Sequence, residues 1–238
     1  NTELRKIMED QMFLDCFGCD IDYSLGKNFA DFADQFSKDS RYRTELYKLR
    51  RKFMSHADGL IHADLHTSNI MASRDKMKVI DMEFAFMGPF GYDLGYLVGN
   101  LISQYCAACF KRFPSEQSRK QFKAYLLATI KSLIETYMKT FTLCWEKSVK
   151  ERYRGQQGLL QSILQEVMED VPGYASMVNW FRSVSEIPYP DFDIIEDKDA
   201  KRNATVLSLM IDWGIMFGRY KYQSADDLIE TIIGIEEE

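Results

Sequence analysis

Residues 59–100 read GLIHADLHTSNIMASRDKMKVIDMEFAFMGPFGYDLGYLVGN, and this stretch constrains the fold more than any other. An apolar pair, Leu60 and Ile61, enters a tight polar loop, HADLHTSN at 62–69. A short apolar run, Ile70 to Ala72, meets a charged turn at 73–76, and Lys78 to Ile80 then delivers Asp81 and Glu83. Short apolar runs bounded by turn residues predict strands, here a β-hairpin with carboxylates at both ends of its strands. From Tyr92 onward the pattern changes to a long apolar segment that predicts a helix.

The order of these side chains fits magnesium-assisted phosphoryl transfer. That chemistry needs a carboxylate to take or orient the acceptor hydroxyl proton, and oxygen ligands for the metal. Asp64 fits the first role, and Asn69 offers an amide oxygen at the far end of the same loop. Asp81 fits the main metal ligand. Glu83, two residues on, shares a side with Asp81 if the segment is extended, and would hold a second ion or a water.

H-x-D-L-H-x-x-N followed by D-x-E resembles the catalytic and metal loops of the aminoglycoside phosphotransferase group, distant relatives of protein kinases. The longer resemblance is to the methylthioribose kinase family, whose loops run like HGDLHTGSI and DPEFAFYGPMGFDIG. This chain has HADLHTSNI and DMEFAFMGPFGYDLG. Its opening, NTELRKIMEDQMFLD, is similar to that family's NPELCKITEDLVF, and DVPGYASMVNWFRSVSEI follows the family's pattern before its C-terminal region. Three positions depart. Ala63 replaces a glycine, a mild change unless positive φ is required there. Asn69 stands where the family carries serine, and Phe181 and Arg182 stand where it carries an Arg-Arg pair of the sugar site.

The resemblance implies a mainly α chain with a short β-hairpin: a protein-kinase-like C-terminal lobe of a full-length α+β kinase. The lobe spans 1–238, with a catalytic loop at 60–72, a metal loop at 78–91 and a helical remainder. It implies transfer of the ATP γ-phosphoryl to a sugar hydroxyl, with Mg2+ and ATP required. Asp64 is then the catalytic residue, and Asn69, Asp81 and Glu83 hold the metal. Arg182 and His66 face the substrate, while His62 and Asp93 support the loops. An aspartate at the place of Asp93 braces the catalytic loop in this group; from the residues alone it is equally a helix N-cap. Other hydroxylated acceptors, such as an aminoglycoside, choline or another sugar, remain open, as does a non-catalytic lobe. The retained carboxylates argue against the last.

Just as informative is what the sequence lacks. It contains neither a G-x-G-x-x-G nor a G-x-x-x-x-G-K loop, and no β-rich run with a V-A-I-K-like lysine. The N-terminal nucleotide lobe is therefore expected to lie outside this chain, and a first residue of Asn rather than Met agrees with an upstream segment. At 238 residues and 46% apolar side chains, one large core is affordable. The net charge of −6 and the lack of a Lys/Arg-dense face argue against nucleic acid. No run is long enough to span a bilayer and no signal peptide is visible, so the expectation is a cytoplasmic protein. A homodimer is kept among the expected partners.

Cys16 and Cys19, and again Cys106 and Cys109, form C-x-x-C pairs, with Cys144 alone. The pairs are too far apart for a zinc ribbon and the second sits in an apolar helix, so reduced, buried thiols are preferred. His62 and His66 are four apart, but they lie in a loop, where His62 reads better as a buried support and His66 as substrate-side or packing. Arg182 reads equally as an anion or acceptor contact and as half of an ion pair. Trp180 and Phe181 read as core.

Helices are expected at 1–15, 38–57, 93–111, from Pro114 to about 151, and at 159–169, 173–186, 198–221 and 225–235. A looser stretch runs to about residue 28. Pro172-Gly173 is expected to break a helix, and the acidic residues 236–238 to fray. Tyr42, Leu46, Leu49 and Phe53 form one apolar stripe, and Phe122, Leu126, Ile130, Leu133, Tyr137 and Phe141 another. The helix from residue 93 is apolar nearly all round and should lie at the centre of the fold.

Overall fold

The computed structural model describes residues 1–15, 27–184 and 189–238. Cys16 and Cys19, with most of the looser stretch, lie outside the described residues. Chain order is α1 (Thr2–Glu9), α2 (Lys27–Lys38), α3 (Ser40–Ser55), β1 (Gly59–Ile61), β2 (Ile70–Ala72), β3 (Met77–Val79) and β4 (Phe86–Gly88). Helices α4 (Tyr92–Phe110), α5 (Glu116–Ser148), α6 (Gln157–Val184), α7 (Pro190–Asp193), α8 (Lys198–Gly218) and α9 (Ala225–Glu237) follow. The chain is mostly helical, with small antiparallel sheets.

The expected hairpin is β2–β3, with Ile70 opposite Val79. It does not stand alone. Leu60 and Ile61 pair instead with Met87 and Phe86, so β1–β4 closes around the hairpin as a second antiparallel pair. This nesting brings the end of β1, which leads to Asp64, next to the end of β3, which leads to Asp81.

Helix α4 is the most completely buried long helix: 15 of its 19 residues are buried. It can lie flat against α6 because Gly95 and Gly99 face that helix. A Cβ at Gly95 would sit 2.6 Å from the Tyr174 Cβ, and one at Gly99 2.6 Å from the Ala175 carbonyl oxygen. One side of this pair carries an aromatic core of Phe13, Tyr42, Phe53, Tyr92, Tyr174 and Trp180. The other carries an aliphatic core with α5, α8 and α9, centred on Ile102, Ile130, Val171, Ile211 and Ile232.

Most helix expectations hold, with instructive exceptions. The Tyr42, Leu46, Leu49 and Phe53 stripe is fully buried. Helix α3 starts on Asp39, whose carboxylate accepts from the Arg41 and Tyr42 amides. The first helix loosens into a π-helical turn at Asp10–Leu14. Helix α2 was not anticipated, although Ala30, Ala33 and Phe36 recur at helical spacing. Helix α6 runs straight through Pro172 and Gly173, where a break was expected. Proline forfeits one backbone bond, but residues 170–180 are buried throughout, and that burial outweighs the local cost. The C-terminus does not fray at 236. Glu236 accepts from Lys123 on α5 and Tyr105 on α4, which ties α9 down.

Cys106 is buried and Cys109 half-buried in α4; both are free thiols, as is exposed Cys144. Burial pushes the Cys109 thiol up to about 12, so it stays protonated and unreactive. Among the described residues, no helix is long and apolar enough to cross a membrane.

Candidate active site

Burial of α4 explains how the loop at 60–72 is held. Its few polar side chains have to find partners, and three of them find this loop. Asp93 accepts from the His62 amide at 2.6 Å and the Ala63 amide at 2.9 Å. Three residues on, the Tyr96 hydroxyl bonds the Asp64 carboxylate. Four further, Asn100 Oδ1 accepts from the Thr67 amide at 3.5 Å, while its Nδ2 donates to the Tyr96 carbonyl at 3.0 Å. Positions 93, 96 and 100 share one helix face. Asp93 is not the N-cap that the residues alone allowed: Gly91 holds that position, and Asp93 sits in the first turn with its carboxylate turned to the loop.

His62 is buried and stitches the two loops together. Its Nε2–H donates to the Ile80 carbonyl at 2.8 Å, while Nδ1 accepts from the Asp64 amide at 3.3 Å, so a single neutral tautomer satisfies both bonds. Asn69 adds a second stitch. Its Nδ2 donates to the Asp64 carbonyl at 3.0 Å, and its own carbonyl accepts from the Ile80 amide at 3.0 Å. Even the N-terminus takes part, since Asn1 Nδ2 donates to the Glu83 carbonyl at 2.6 Å.

Two site residues adopt left-handed backbone. Ala63 has φ +69° and Asp81 φ +66°. Positive φ makes alanine at 63 more than a mild replacement for glycine, because the Cβ costs about 1–2 kcal/mol there. The two Asp93 bonds, from the His62 and Ala63 amides, hold the strained turn in place. Aspartate tolerates the same region more readily. The segment 81–85 is also a turn, closed by the Ala85 amide on the Met82 carbonyl at 3.1 Å, rather than the extended run on which Glu83 was placed beside Asp81. The two-residue spacing therefore does not by itself align their carboxylates.

Asp64 opens into a cleft of about 620 Å³. His66, Tyr96, Phe181, Arg182 and Asp191 line it with Asp64, and Met8, Met12 and Phe84 add an apolar wall. Burial pushes the Asp64 carboxyl up. The bond and charge of His66 and the Tyr96 hydroxyl outweigh that, so its pKa lies below the usual value and the group is ionised at neutral pH. His66 Nε2 stands 3.5 Å from Asp64 Oδ2. For Asp93, burial wins over the two amide bonds and its pKa is raised.

Asn69, Asp81 and Glu83 do not line this cleft. Asn69 is buried, whereas Asp81 and Glu83 are exposed. Among the described residues, no three His, Cys, Asp or Glu side chains gather as a ready-made metal site. Arg182 is half of an ion pair with Asp191, and its guanidinium lies 4.5 Å from the centre of the Tyr189 ring. Trp180 is core, 1% exposed, while Phe181 packs on the core and also reaches the cleft. Tyr96, Asn100 and Asp191 were missed from sequence. The first two were detectable as polar positions three and seven residues past Asp93 in an otherwise apolar helix.

Residues 22–133, which include the loops at 60–72 and 78–91 and all of α4, match the APH family, described as a phosphotransferase enzyme family. A protein of Geobacillus sp. (strain WCH70) named methylthioribose kinase is 31% identical over 96% of this chain and 54% of its own length. Proteins of the same name from Geobacillus thermodenitrificans and Geobacillus kaustophilus are 32% and 33% identical, over 99% and 95% of this chain and 57% and 55% of theirs. The chain thus spans about half the length of these curated relatives. Its site-bearing stretch matches the phosphotransferase enzyme family, and nearly its whole length is similar to proteins named methylthioribose kinase.

Proposed function

We propose that this chain is the kinase-like C-terminal lobe of an ATP-dependent small-molecule kinase that phosphorylates a sugar hydroxyl, with methylthioribose as the leading acceptor. The observation that carries the reading is Asp64. It is an ionised carboxylate fixed at the mouth of a cleft by His66, Tyr96 and the loop backbone. Asp64 accepts a hydrogen bond from the acceptor hydroxyl, orients its oxygen toward the γ-phosphorus, and takes the proton as the new O–P bond forms and the bond from the γ-phosphorus to the leaving ADP oxygen breaks. Tyr96 and His66 hold the carboxylate in that orientation, and α4 holds the loop. The cleft walls bind the acceptor, and most of the catalysis is positioning.

The donor set fits magnesium, a hard cation that prefers oxygen. Asp81 and Glu83 present exposed carboxylates, Asn69 carries an amide oxygen, and the Asn69 backbone carbonyl accepts from the Ile80 amide, one residue before Asp81. These three residues would hold Mg2+, which when bound neutralises charge on the ATP phosphates. The exposed faces of the strands support a covering lobe. Leu60 is 68% and Met77 69% exposed, and Met71, Met82 and Met87 are also open. Nucleotide and a second lobe would bury them.

The test is a pair of variants in the full-length protein. Asp64→Ala should lower turnover about 10²–10⁴-fold with nucleotide affinity nearly unchanged, because it serves the acceptor. Asp81→Ala should abolish magnesium-dependent nucleotide binding as well. Equal loss of nucleotide affinity in both variants overturns the assignment.

A further inference from the structure

Among the described residues lining the cleft, Arg182 supplies the permanently cationic group. An open guanidinium there would attract phosphate- and carboxylate-bearing molecules. It is not open. Its Nε and Nη2 both donate to Asp191 Oδ2, Nε at 2.7 Å, and the two side chains are only 11% and 8% exposed. The Tyr189 ring covers the guanidinium. The two partners come from different elements, the last turn of α6 and the short helix α7, so the pair also closes one wall of the cleft. Asp64 adds a second carboxylate across the same space.

We propose that Asp191 sets the charge class of the acceptor: by occupying Arg182 it converts an anion hook into a net-neutral pair that receives uncharged hydroxyls and refuses anionic sugars. The inference rests on the proposed sugar-kinase function and deepens it. A hydroxyl donates to a carboxylate oxygen and accepts from an N–H, so it bonds to the pair without breaking it. An anion must either displace Asp191 from Arg182, leaving a nearly buried carboxylate unpaired, or share the guanidinium with that carboxylate at close range, and it also meets the charge of Asp64. Methionine and aromatic side chains on the remaining wall suit an acceptor with one apolar end.

Calorimetric binding to the full-length protein tests this without requiring turnover. The probes are methylthioribose, which is neutral, and ribose 5-phosphate, a pentose that carries an anion in place of the apolar end. The wild type should bind the neutral sugar about a hundredfold more tightly. Asp191→Asn should narrow that ratio about tenfold or more, chiefly through tighter binding of the phosphate sugar. Adding Arg182→Gln should erase the gain, because the gain runs through the freed guanidinium. Asp191→Ser must behave like Asp191→Asn, and Asp191→Glu must keep the discrimination; these serve if the asparagine variant folds poorly. Parallel weakening of both sugars in the variants, or a wild type that binds neither or both equally, overturns the inference. Discrimination in a protein that phosphorylates no sugar would leave the inference standing and remove the proposed function. Turnover of a sugar with an unchanged ratio in Asp191→Asn would remove only the inference.

Discussion

Asp64, the proposed proton acceptor, shows how much of a carboxylate's chemistry is set by its neighbours. Burial alone would push its carboxyl up, toward the protonated form that cannot accept a proton. His66 and the Tyr96 hydroxyl reverse that. Removing the hydroxyl in Tyr96→Phe leaves the ring's packing in place and deletes one hydrogen bond to a charged group. Such a bond is worth about 1.5–3 kcal/mol, so turnover of the full-length enzyme should fall about tenfold or more. The pKa of Asp64 should rise, moving the acid limb of the kcat/KM pH profile upward. A ring that served only packing would leave that limb where it is, which the pH profile of the variant decides. His62 was legible from sequence as a buried support, since a histidine in a tight loop has few other uses. Tyr96 was not, because its target lies 32 positions away and only the helix crossing brings the two together.

At the scale of elements, helices α4, α6 and α8 meet in a buried polar chain. Ser103 donates to Asn179, and Asn179 donates to Asp212 Oδ1 at 2.8 Å. Asp212 is fully buried, its Oδ2 and the Ser208 hydroxyl have no partner, and burial raises its pKa well above 3.8. The folded pKa is above the unfolded one. The stability that goes with the neutral acid is therefore fully present below the unfolded pKa and is lost as pH rises toward the folded value. Asp212→Asn cannot ionise, so its stability relative to wild type should increase between pH 4 and pH 8. Removing an uncompensated buried carboxyl should favour the variant by about 1–3 kcal/mol at the upper end. Asp93 and Asp170, also raised by burial, titrate in both proteins and drop out of the difference. Denaturant unfolding of both proteins at several pH values gives the answer; a gap that stays constant with pH would contradict it.

For the molecule as a whole, the two cores on either side of α4 and α6 are large enough for the chain to fold by itself, whereas the strand face with Leu60, Met71 and Met77 is left open. Kinase-type sites clamp ATP phosphates with a Gly-rich loop and a strand lysine, and this sequence contains neither. On the proposed kinase-lobe reading, phosphates bound here without such a clamp would stay in water, where every remaining electrostatic contact is weak. The 238-residue chain alone should therefore melt cooperatively, bind magnesium-ATP far more weakly than the full-length protein, and show no turnover. Calorimetry and an ADP-release assay check this. Micromolar ATP affinity with steady turnover would mean that these helices hide a nucleotide clamp.

What the sequence determined by itself is what depends on local order and period. The hairpin β2–β3, the buried stripe of α3 and the all-round apolar α4 follow from side-chain spacing that the backbone geometry enforces. The loop residues Asp64, Asn69 and Asp81 stood out because their chemistry needs those groups in that order. Tertiary structure decided everything that depends on distant partners. It paired β1 with β4, carried α6 through Pro172, and held Ala63 at a positive φ that its own side chain disfavours. It also turned Asp93 from a possible cap into a brace, and closed Arg182 onto Asp191. Each of these costs little or is disfavoured locally, and each is chosen by burial and hydrogen bonds between segments far apart in the chain.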